Sequence, residues 1–136
     1  MQWNMADNIF ENNIVYAGPR CLMMLNKFQL DKKRPPAIID HNLYYCASGA
    51  QASMWAGASN IVTGFDKYVE ATGNDRHSRF SDPHFVDPAK NDFHLQFNSL
   101  AIAAGAVDSL PLGELDLEGS PRFKSGKIDI GCYQRQ

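Results

Sequence analysis

The chain has 136 residues and a mass of 15.2 kDa, the size of a single domain that buries its own core. Hydrophobic residues make up 44% and charged residues 21%, proportions that exclude a disordered chain. The net charge of −2 lacks the basic excess of nucleic-acid-binding proteins, and no apolar run reaches the ~18 residues that span a bilayer. The composition therefore predicts a soluble globular domain with neither a nucleic-acid nor a membrane partner.

The three cysteines are Cys21, Cys46 and Cys132, and none belongs to a Cys-x-x-Cys pair. Their odd number and spacing predict three free thiols rather than a disulfide framework or a zinc knuckle. The N-terminal residues lack the basic and apolar regions of a signal peptide. As written, the sequence predicts a cytoplasmic protein.

An eight-residue pattern occurs twice. Residues 9–16 read I-F-E-N-N-I-V-Y and residues 38–45 read I-I-D-H-N-L-Y-Y, and we call these segments repeat 1 and repeat 2. Their β-branched and aromatic residues are typical of strands, whereas asparagine tolerates a left-handed backbone. Each repeat therefore predicts a strand, a bend at its central asparagine and a second strand. Stacked repeats would align Asn13 with Asn42 in a ladder of amide hydrogen bonds.

The segments around and after the repeats predict further short elements. Residues 21–25 form an apolar run that suits a third strand, and residues 47–62 suggest a loop tethered by Trp55. Thr63 and Asp66 have the spacing of a capping box. The helix that they begin has an apolar face and a stop at Gly73, the face comprising Phe65, Tyr68, Val69 and Thr72. Strands are predicted at residues 92–97 and 127–133.

The C-terminal half of the chain contains five short blocks, at residues 82–88, 92–95, 99–105, 116–122 and 129–134. In the same order, they are close to the strings D-P-x-F-V-D-P, D-F-x-L, S-P-A-I-D-A-G, D-x-D-G-x-P-R and D-I-G-A-Y-E. The blocks thus resemble the usual ending of right-handed parallel β-helix proteins of the pectate-lyase-like class. Residues 38–78 also resemble the last coil of that family with its flanking helix.

The chain departs from that pattern in substitutions and in length. Leu100 replaces a proline, Ala103 and Glu118 replace aspartates, and Gln134 replaces a glutamate. Members of the class carry many coils before this ending, and their catalytic groups lie on the wall that those coils form. The resemblance therefore implies the fold more strongly than the activity.

The predicted fold class is all-β with one short helix, as a truncated right-handed parallel β-helix of about two coils plus a C-terminal cap. The chain would form a single domain, 1–136, with the coils in residues 1–50 and the loop, helix and cap in residues 51–136. A small β-sandwich is the alternative fold.

Two carboxylates form the candidate catalytic pair. Glu11 and Asp40 occupy equivalent repeat positions, so that stacking would place their backbones ~4.8 Å apart. Two neighbouring carboxylates are what a glycosidase needs, and a polysaccharide lyase would add a cation and a base. The other aspartates are scattered beside Pro or Gly and are predicted to cap turns; they include Asp82, Asp92, Asp116 and Asp129.

Aromatic residues form the candidate ligand surface. Tyr16 and Tyr45 are equivalent in the two repeats, and Tyr44 is adjacent. Outward-facing rings would make a platform on which a sugar could stack. The four histidines, at positions 41, 77, 84 and 94, lack compact metal-ligand spacing, and we expect no metal and no organic cofactor.

The favoured function is a non-catalytic β-helix module with a structural or association role. A carbohydrate-binding module and a carbohydrate-active enzyme are the alternatives, and a polysaccharide is a partner of either. An open first coil would expose unpaired backbone groups, so we also expect a homodimer. Its interface would contain Trp3, Met5, Ile9 and Phe10. The sequence thus predicts a cytoplasmic homodimer, although proteins of the resembling class are often secreted.

Overall fold

The computed structural model describes residues 7–17, 22–23, 37–46, 49, 54–56, 61–108 and 114–135, with only the backbone described at 22–23, 54–56 and 61–62. These residues are mainly β-structure with one α-helix, which confirms the predicted class. The elements are β1 (Ile9–Glu11), β2 (Ile14–Ala17), β3 (Leu22–Met23), β4 (Ile38–Asp40), β5 (Leu43–Cys46), β6 (Met54–Ala56), β7 (Ile61–Thr63), α1 (Phe65–Thr72), β8 (Arg79–Phe80), β9 (Phe85–Asp87), a 3-10 turn (Pro88–Lys90) and β10 (Asp92–Leu95).

The two repeats lie side by side in parallel and in the predicted register. In the first strands, Glu11 is opposite Asp40. In the second strands, Tyr16 is opposite Tyr45. Each repeat is therefore a strand, a bend and a strand, as its sequence predicts.

The left-handed residue of each bend comes one position earlier than predicted. Asn12 has φ 62° and His41 has φ 52°, whereas Asn13 and Asn42 follow them. Asn42 follows the bend and is fully buried. Its side-chain amide hydrogen-bonds to backbone groups of Phe10 and Asn13, on either side of the bend of repeat 1. The expectation of a bend at the central asparagine is wrong by one residue.

The predicted amide ladder is confirmed. The side-chain Nδ2 of Asn13 donates to Oδ1 of Asn42 at 3.1 Å, and the backbone N–H of Asn13 donates to the same oxygen at 3.0 Å. In turn, the backbone N–H of Asn42 donates to Oγ of Ser78 at 2.8 Å. Ser78 is therefore a third rung, which the sequence comparison missed because residues 75–80 do not share the repeat pattern.

Strand β8 follows this third rung and extends the sheet. It pairs in parallel with β5, giving the strand order β2-β5-β8. Alternate side chains of the sheet point to opposite faces. On one face, Tyr44 packs with Phe65 and Tyr68 of α1, and Phe10 and Val15 pack against this cluster.

Residues 92–108 and 114–135, which we call the C-terminal segment, cover the other face of the sheet. Leu43 packs there with Ala101 and Ile130, and Ile14 borders the cluster. The segment is fixed to repeat 1 through Asn12, whose side chain exchanges two hydrogen bonds with the backbone of Ala106, at 2.7 and 3.0 Å. The sheet is thus buried on both sides, by the helix on one and by the C-terminal segment on the other.

Helix α1 has the predicted buried face and the predicted stop. Phe65 and Tyr68 are buried, and Gly73 ends the helix in the left-handed conformation with its N–H on the carbonyl of Val69. The N-cap is Gly64 without a side-chain hydrogen bond, because Thr63 is the last residue of β7. The predicted Thr63–Asp66 capping box is therefore wrong.

Two predicted segments differ from the structure. The expected loop at 47–62 contains β6 and β7, which pair with each other in antiparallel fashion, and β3 pairs with β6 in parallel. The expected strand at 127–133 is irregular and has only the isolated bridge between Lys124 and Lys127. Side-chain bonds replace strand pairing there, since Asp129 accepts from the backbone N–H of Ala103 at 2.7 Å and of Arg135 at 2.7 Å.

The cysteines also differ from expectation. Cys46 is disulfide-bonded, which contradicts the prediction of three free thiols, and Cys132 is free and exposed. The position of Cys21 lies outside the described residues. Within the described part of the chain, no helix has the length and apolar character needed to cross a membrane.

Candidate functional site

A row of aromatic rings lies at the edge of the C-terminal face of the sheet. The Tyr16 and Tyr45 rings are 5.1 Å apart, and the Tyr16 and Phe85 rings are 5.7 Å apart. Tyr16 is 50% exposed at the centre of this row. We call Tyr16, Tyr45 and Phe85 the aromatic row.

Tyr44 does not belong to the row. Its side chain is fully buried, and its hydroxyl donates to Oδ1 of Asp75 at 3.0 Å. The alternation of a strand turns Tyr44 to the helix face and Tyr45 to the opposite face. The prediction of Tyr44 as a ligand-binding residue is therefore wrong, and its hydroxyl serves the core.

A cavity of about 730 Å³ opens beside the aromatic row, between repeat 1 and the C-terminal segment. A volume of this size is within the range of small-molecule sites. Tyr16, Phe85, Phe93 and Tyr133 supply aromatic rings to its wall, and Glu11, Glu114 and Arg122 supply its charged groups.

Two of the charged groups of the cavity, Glu114 and Arg122, belong to the C-terminal segment. Arg122 Nη2 donates to the carbonyls of Asp129 at 3.1 Å and Gly131 at 2.8 Å, and Nη1 lies 3.8 Å from Glu114 Oε2. Among the described residues, Arg122 Nε and Glu114 Oε2 are buried atoms without a hydrogen-bond partner. Nε is a donor and Oε2 an acceptor whose hydrogen-bonding capacity is unused by the described residues.

A histidine fixes the rim of the same cavity. The rings of His94 and Tyr133 stack at 4.1 Å, while His94 contacts Asp92 at 2.6 Å and Glu118 at 3.2 Å. The hydrogen bonds to Asp92 and then to Glu118 raise the pKa of His94. The His94 ring thus links Asp92 of β10 to the turn at Glu118 and stacks on Tyr133.

The residues of the candidate catalytic pair, Glu11 and Asp40, lie opposite each other in register. Glu11 lines the cavity described above, whereas Asp40 accepts from the backbone N–H groups of His41 and His77 and contacts the His77 ring at 2.7 Å. Burial favours the neutral form of Asp40, but hydrogen bonds from His77 and His41 outweigh it and lower its pKa. The carboxylate of Asp40 is therefore occupied by His41 and His77.

Three of the scattered aspartates, Asp82, Asp92 and Asp116, cap turns as predicted, whereas Asp129 accepts from the distant N–H groups of Ala103 and Arg135. Oxygens of Asp82 and Asp92 accept from backbone N–H groups two residues later, at 2.8 and 3.1 Å. Asp116 accepts from the N–H groups of Glu118 and Ser120 with one oxygen and of Gln134 with the other. These carboxylates are committed to backbone donors.

The predicted interface residues divide into three groups. Ile9 is 58% exposed and Ile38, its register partner, is 49% exposed. Phe10 packs against the Tyr44 cluster and so belongs to the core, which contradicts its prediction as an interface residue. Trp3 and Met5 lie outside the described residues.

Sequence reasoning missed the contribution of the C-terminal segment to the cavity. Phe93, Arg122 and Tyr133 are far from repeat 1 in sequence, and no local pattern indicates that they face it. It also missed Asp75, which is buried and accepts hydrogen bonds from Tyr44, Tyr68 and Asn42. The Asp-Arg-His-Ser string at 75–78 carries no signal for such a position.

The chain is similar to a protein of Bacillus subtilis whose function is not characterized. The chain is 32% identical over 101 residues to the uncharacterized protein YwoF of Bacillus subtilis (strain 168). The match covers 74% of the chain and 21% of YwoF, so the chain spans about a fifth of the length of that relative. No protein-family model matches the chain, and no solved structure matches it significantly.

Proposed function

We propose that the chain is a non-catalytic carbohydrate-binding module that holds a neutral glycan in the cavity beside the aromatic row. The observation that carries the proposal is the half-exposed Tyr16 ring, set between Tyr45 and Phe85 at the mouth of a 730 Å³ cavity. Sugar rings present apolar C–H faces that pack on such aromatic surfaces, while their hydroxyls need polar partners.

The charges of the cavity favour a neutral glycan over a uronate. Glu11 and Glu114 place two carboxylates on the wall against the single guanidinium of Arg122. Four of the five guanidinium donor hydrogens lie on the Nη atoms, and Nη2 is occupied by backbone carbonyls. Carboxylates accept hydrogen bonds from sugar hydroxyls and repel an acidic sugar.

We propose a short right-handed parallel β-helix as the architecture that presents this site. The parallel pairing of both repeats, the amide ladder and the third rung at Ser78 support stacked coils. In such a stack, equivalent residues of successive coils form rows on the surface. The Tyr16–Tyr45 pair is a row of this kind.

We place the module in an oxidising compartment. The disulfide at Cys46 supports this placement, because disulfides persist outside the reducing cytosol. Glycans outside the cytosol would be available to the module there.

A glycan array followed by calorimetry tests the proposed function. We expect the full chain to bind neutral oligosaccharides in preference to uronate-containing ones. Tyr16→Ala should weaken binding at least tenfold, a loss of about 1.4 kcal/mol. Phe97→Ala is the matched control, because Phe97 is 78% exposed and does not line the cavity. Absence of glycan binding, or equal effects of the two variants, would refute the proposal.

Self-association is the second candidate function, and one observation favours it. Ile9 and Ile38 are adjacent in register and expose two apolar side chains on the first strands of the repeats. A second copy of the chain could bury this pair in a two-fold interface. We retain the homodimer as a proposal, with Ile9 and Ile38 as its centre in place of Phe10.

A further inference from the structure

We propose that Asp40, His41 and His77 form a binding site for a divalent first-row transition metal ion, at the bend between β4 and β5. One carboxylate oxygen and one nitrogen from each imidazole lie within 4.8 Å of one another. Imidazole and carboxylate groups together suit ions such as Zn²⁺.

The backbone of the bend prepares the carboxylate for this role. Oδ1 of Asp40 accepts from the backbone N–H of His41 at 2.9 Å and of His77 at 2.8 Å. The carboxylate is therefore fixed through Oδ1, and Oδ2 faces Nδ1 of His77 at 2.7 Å and Nδ1 of His41 at 3.8 Å. Hydrogen bonds that orient a ligand in this way are typical of metal sites.

A second observation points to a ligand at the same place. Nδ1 of His41 is a buried atom that has no hydrogen-bond partner among the described residues. A buried polar atom of this kind needs a partner, and a metal ion between it and Oδ2 of Asp40 would supply one. This nitrogen lies 3.8 Å from Oδ2 of Asp40.

The distances between the three ligand atoms require only a small adjustment to hold a metal ion. Metal–ligand bonds of ~2.0–2.2 Å at tetrahedral angles place ligand atoms about 3.3–3.6 Å apart. The His41–Asp40 separation of 3.8 Å is close to this value, and the His77–Asp40 separation of 2.7 Å must widen. His77 is free to move because its side chain is 68% exposed.

Three protein ligands would leave a coordination position open to solvent. His41 and His77 line a cavity of about 510 Å³ that Arg76 and Arg79 also line. Zinc sites with three protein ligands keep a position for water or an exogenous group, and the two guanidinium groups favour an anion there. The site is separate from the aromatic row and does not depend on the proposed glycan.

Calorimetric titration of the full chain with ZnCl₂ tests the proposal, together with the absorption spectrum of the Co²⁺-loaded protein. We expect one ion per chain and a rise in the midpoint of thermal unfolding, since an ion that binds only the folded state stabilises it. Addition of inorganic phosphate should change the Co²⁺ spectrum if a coordination position is open.

Substitutions of Asp40, His41 and His77 test which of them bind the metal ion. His41→Asn retains tolerance of the left-handed backbone, as Asn12 does in repeat 1, and Asp40→Asn retains the oxygen that accepts the two N–H groups. Each of these variants and His77→Ala should lower Zn²⁺ affinity at least tenfold while the apo form unfolds cooperatively. His84→Asn is the matched control and should bind as the unchanged chain does. No binding at millimolar Zn²⁺, or equal affinity in all four variants, would overturn the proposal.

Discussion

At the scale of single residues, the most constrained side chain is Asn42. It is fully buried, and its amide oxygen accepts from two donors of Asn13 while its nitrogen donates to Phe10 and Asp75. One side chain therefore joins repeat 1, repeat 2 and the segment after the helix. The stack depends on an asparagine here because an apolar side chain would leave these buried groups unpaired.

We expect Asn42→Ala to lower the free energy of unfolding by about 2–4 kcal/mol, since it removes several buried hydrogen bonds at ~1 kcal/mol each and leaves a cavity. Asn98→Ala, at an exposed position, should change it by less than about 0.5 kcal/mol. Urea denaturation of both variants measures the difference. Equal effects would contradict the ladder as a stabilising feature.

Asp75 is the second residue with a defined energetic role. Burial raises its pKa, although hydrogen bonds from Ser78, Asn42, Tyr68 and Tyr44 oppose this shift. A carboxyl whose folded pKa is raised contributes stability below its unfolded pKa of about 3.8 and loses that contribution as the pH rises through the folded pKa. The stability difference between the unchanged chain and Asp75→Asn should therefore be larger at pH 3 than at pH 7.

Asp116 provides a control of opposite sign. Burial favours its neutral form, but backbone N–H groups of Gln134, Ser120 and Glu118 outweigh this and lower its pKa. Its contribution is present above the unfolded pKa and is lost as the pH falls through the folded pKa. The difference in the free energy of unfolding between the unchanged chain and Asp116→Asn should be larger at pH 7 than at pH 3. Urea denaturation at the two pH values measures both variants, and the same pH dependence for Asp75→Asn and Asp116→Asn would contradict one of the two assignments.

At the scale of elements, the packing of the C-terminal segment on repeat 1 depends on the absence of a side chain at Gly105. A Cβ atom there would lie 2.7 Å from Ile128 Cγ1 and 2.8 Å from Asn12 Oδ1. Ile128 is buried, and Asn12 is held by its bonds to Ala106, so neither neighbour can move without loss. Docking of the segment thus requires a residue without a side chain at position 105, beside the Ile128 and Asn12 side chains.

We expect Gly105→Ala to destabilise the fold by about 1–3 kcal/mol, the usual cost of overpacking. Ile128→Ala removes the atom that would clash, so Gly105→Ala should cost less in that background. The non-additivity of the double-mutant cycle measures the contact. Additive effects would show that the two residues do not meet.

The elements also show what the sequence can and cannot predict. The parallel register of the repeats and the rung from Asn13 to Asn42 follow from an eight-residue pattern, and the stop of α1 follows from Gly73. The cavity does not follow from any local pattern, because Phe93, Arg122 and Tyr133 are distant from repeat 1 in sequence. Irregular chain held by side-chain hydrogen bonds brings Arg122 and Tyr133 to its wall. Local patterns encode strands and caps, whereas contacts between distant irregular segments leave no periodic signal.

At the scale of the whole molecule, both faces of the sheet β2-β5-β8 pack against other parts of the chain, and the exposed apolar surface includes the Ile9–Ile38 pair. If that pair is a self-association surface, light scattering at micromolar concentration should give twice the mass of the chain. Ile9→Asp should reduce the mass to that of one chain. Leu117→Asp, at a residue that is 72% exposed, should leave the mass unchanged. A monomeric unchanged chain would refute the dimer.

The wall of the cavity between repeat 1 and the C-terminal segment combines residues of the aromatic row with side chains from the opposite end of the sequence. A nuclear magnetic resonance titration of the isotopically labelled chain, with the neutral oligosaccharide that binds best on the array, tests this site directly. We expect chemical-shift changes concentrated at Tyr16, Phe85, Phe93 and Tyr133. Shifts concentrated at the cavity lined by Arg76 and Arg79, or no shifts at saturating sugar, would contradict glycan binding beside the aromatic row.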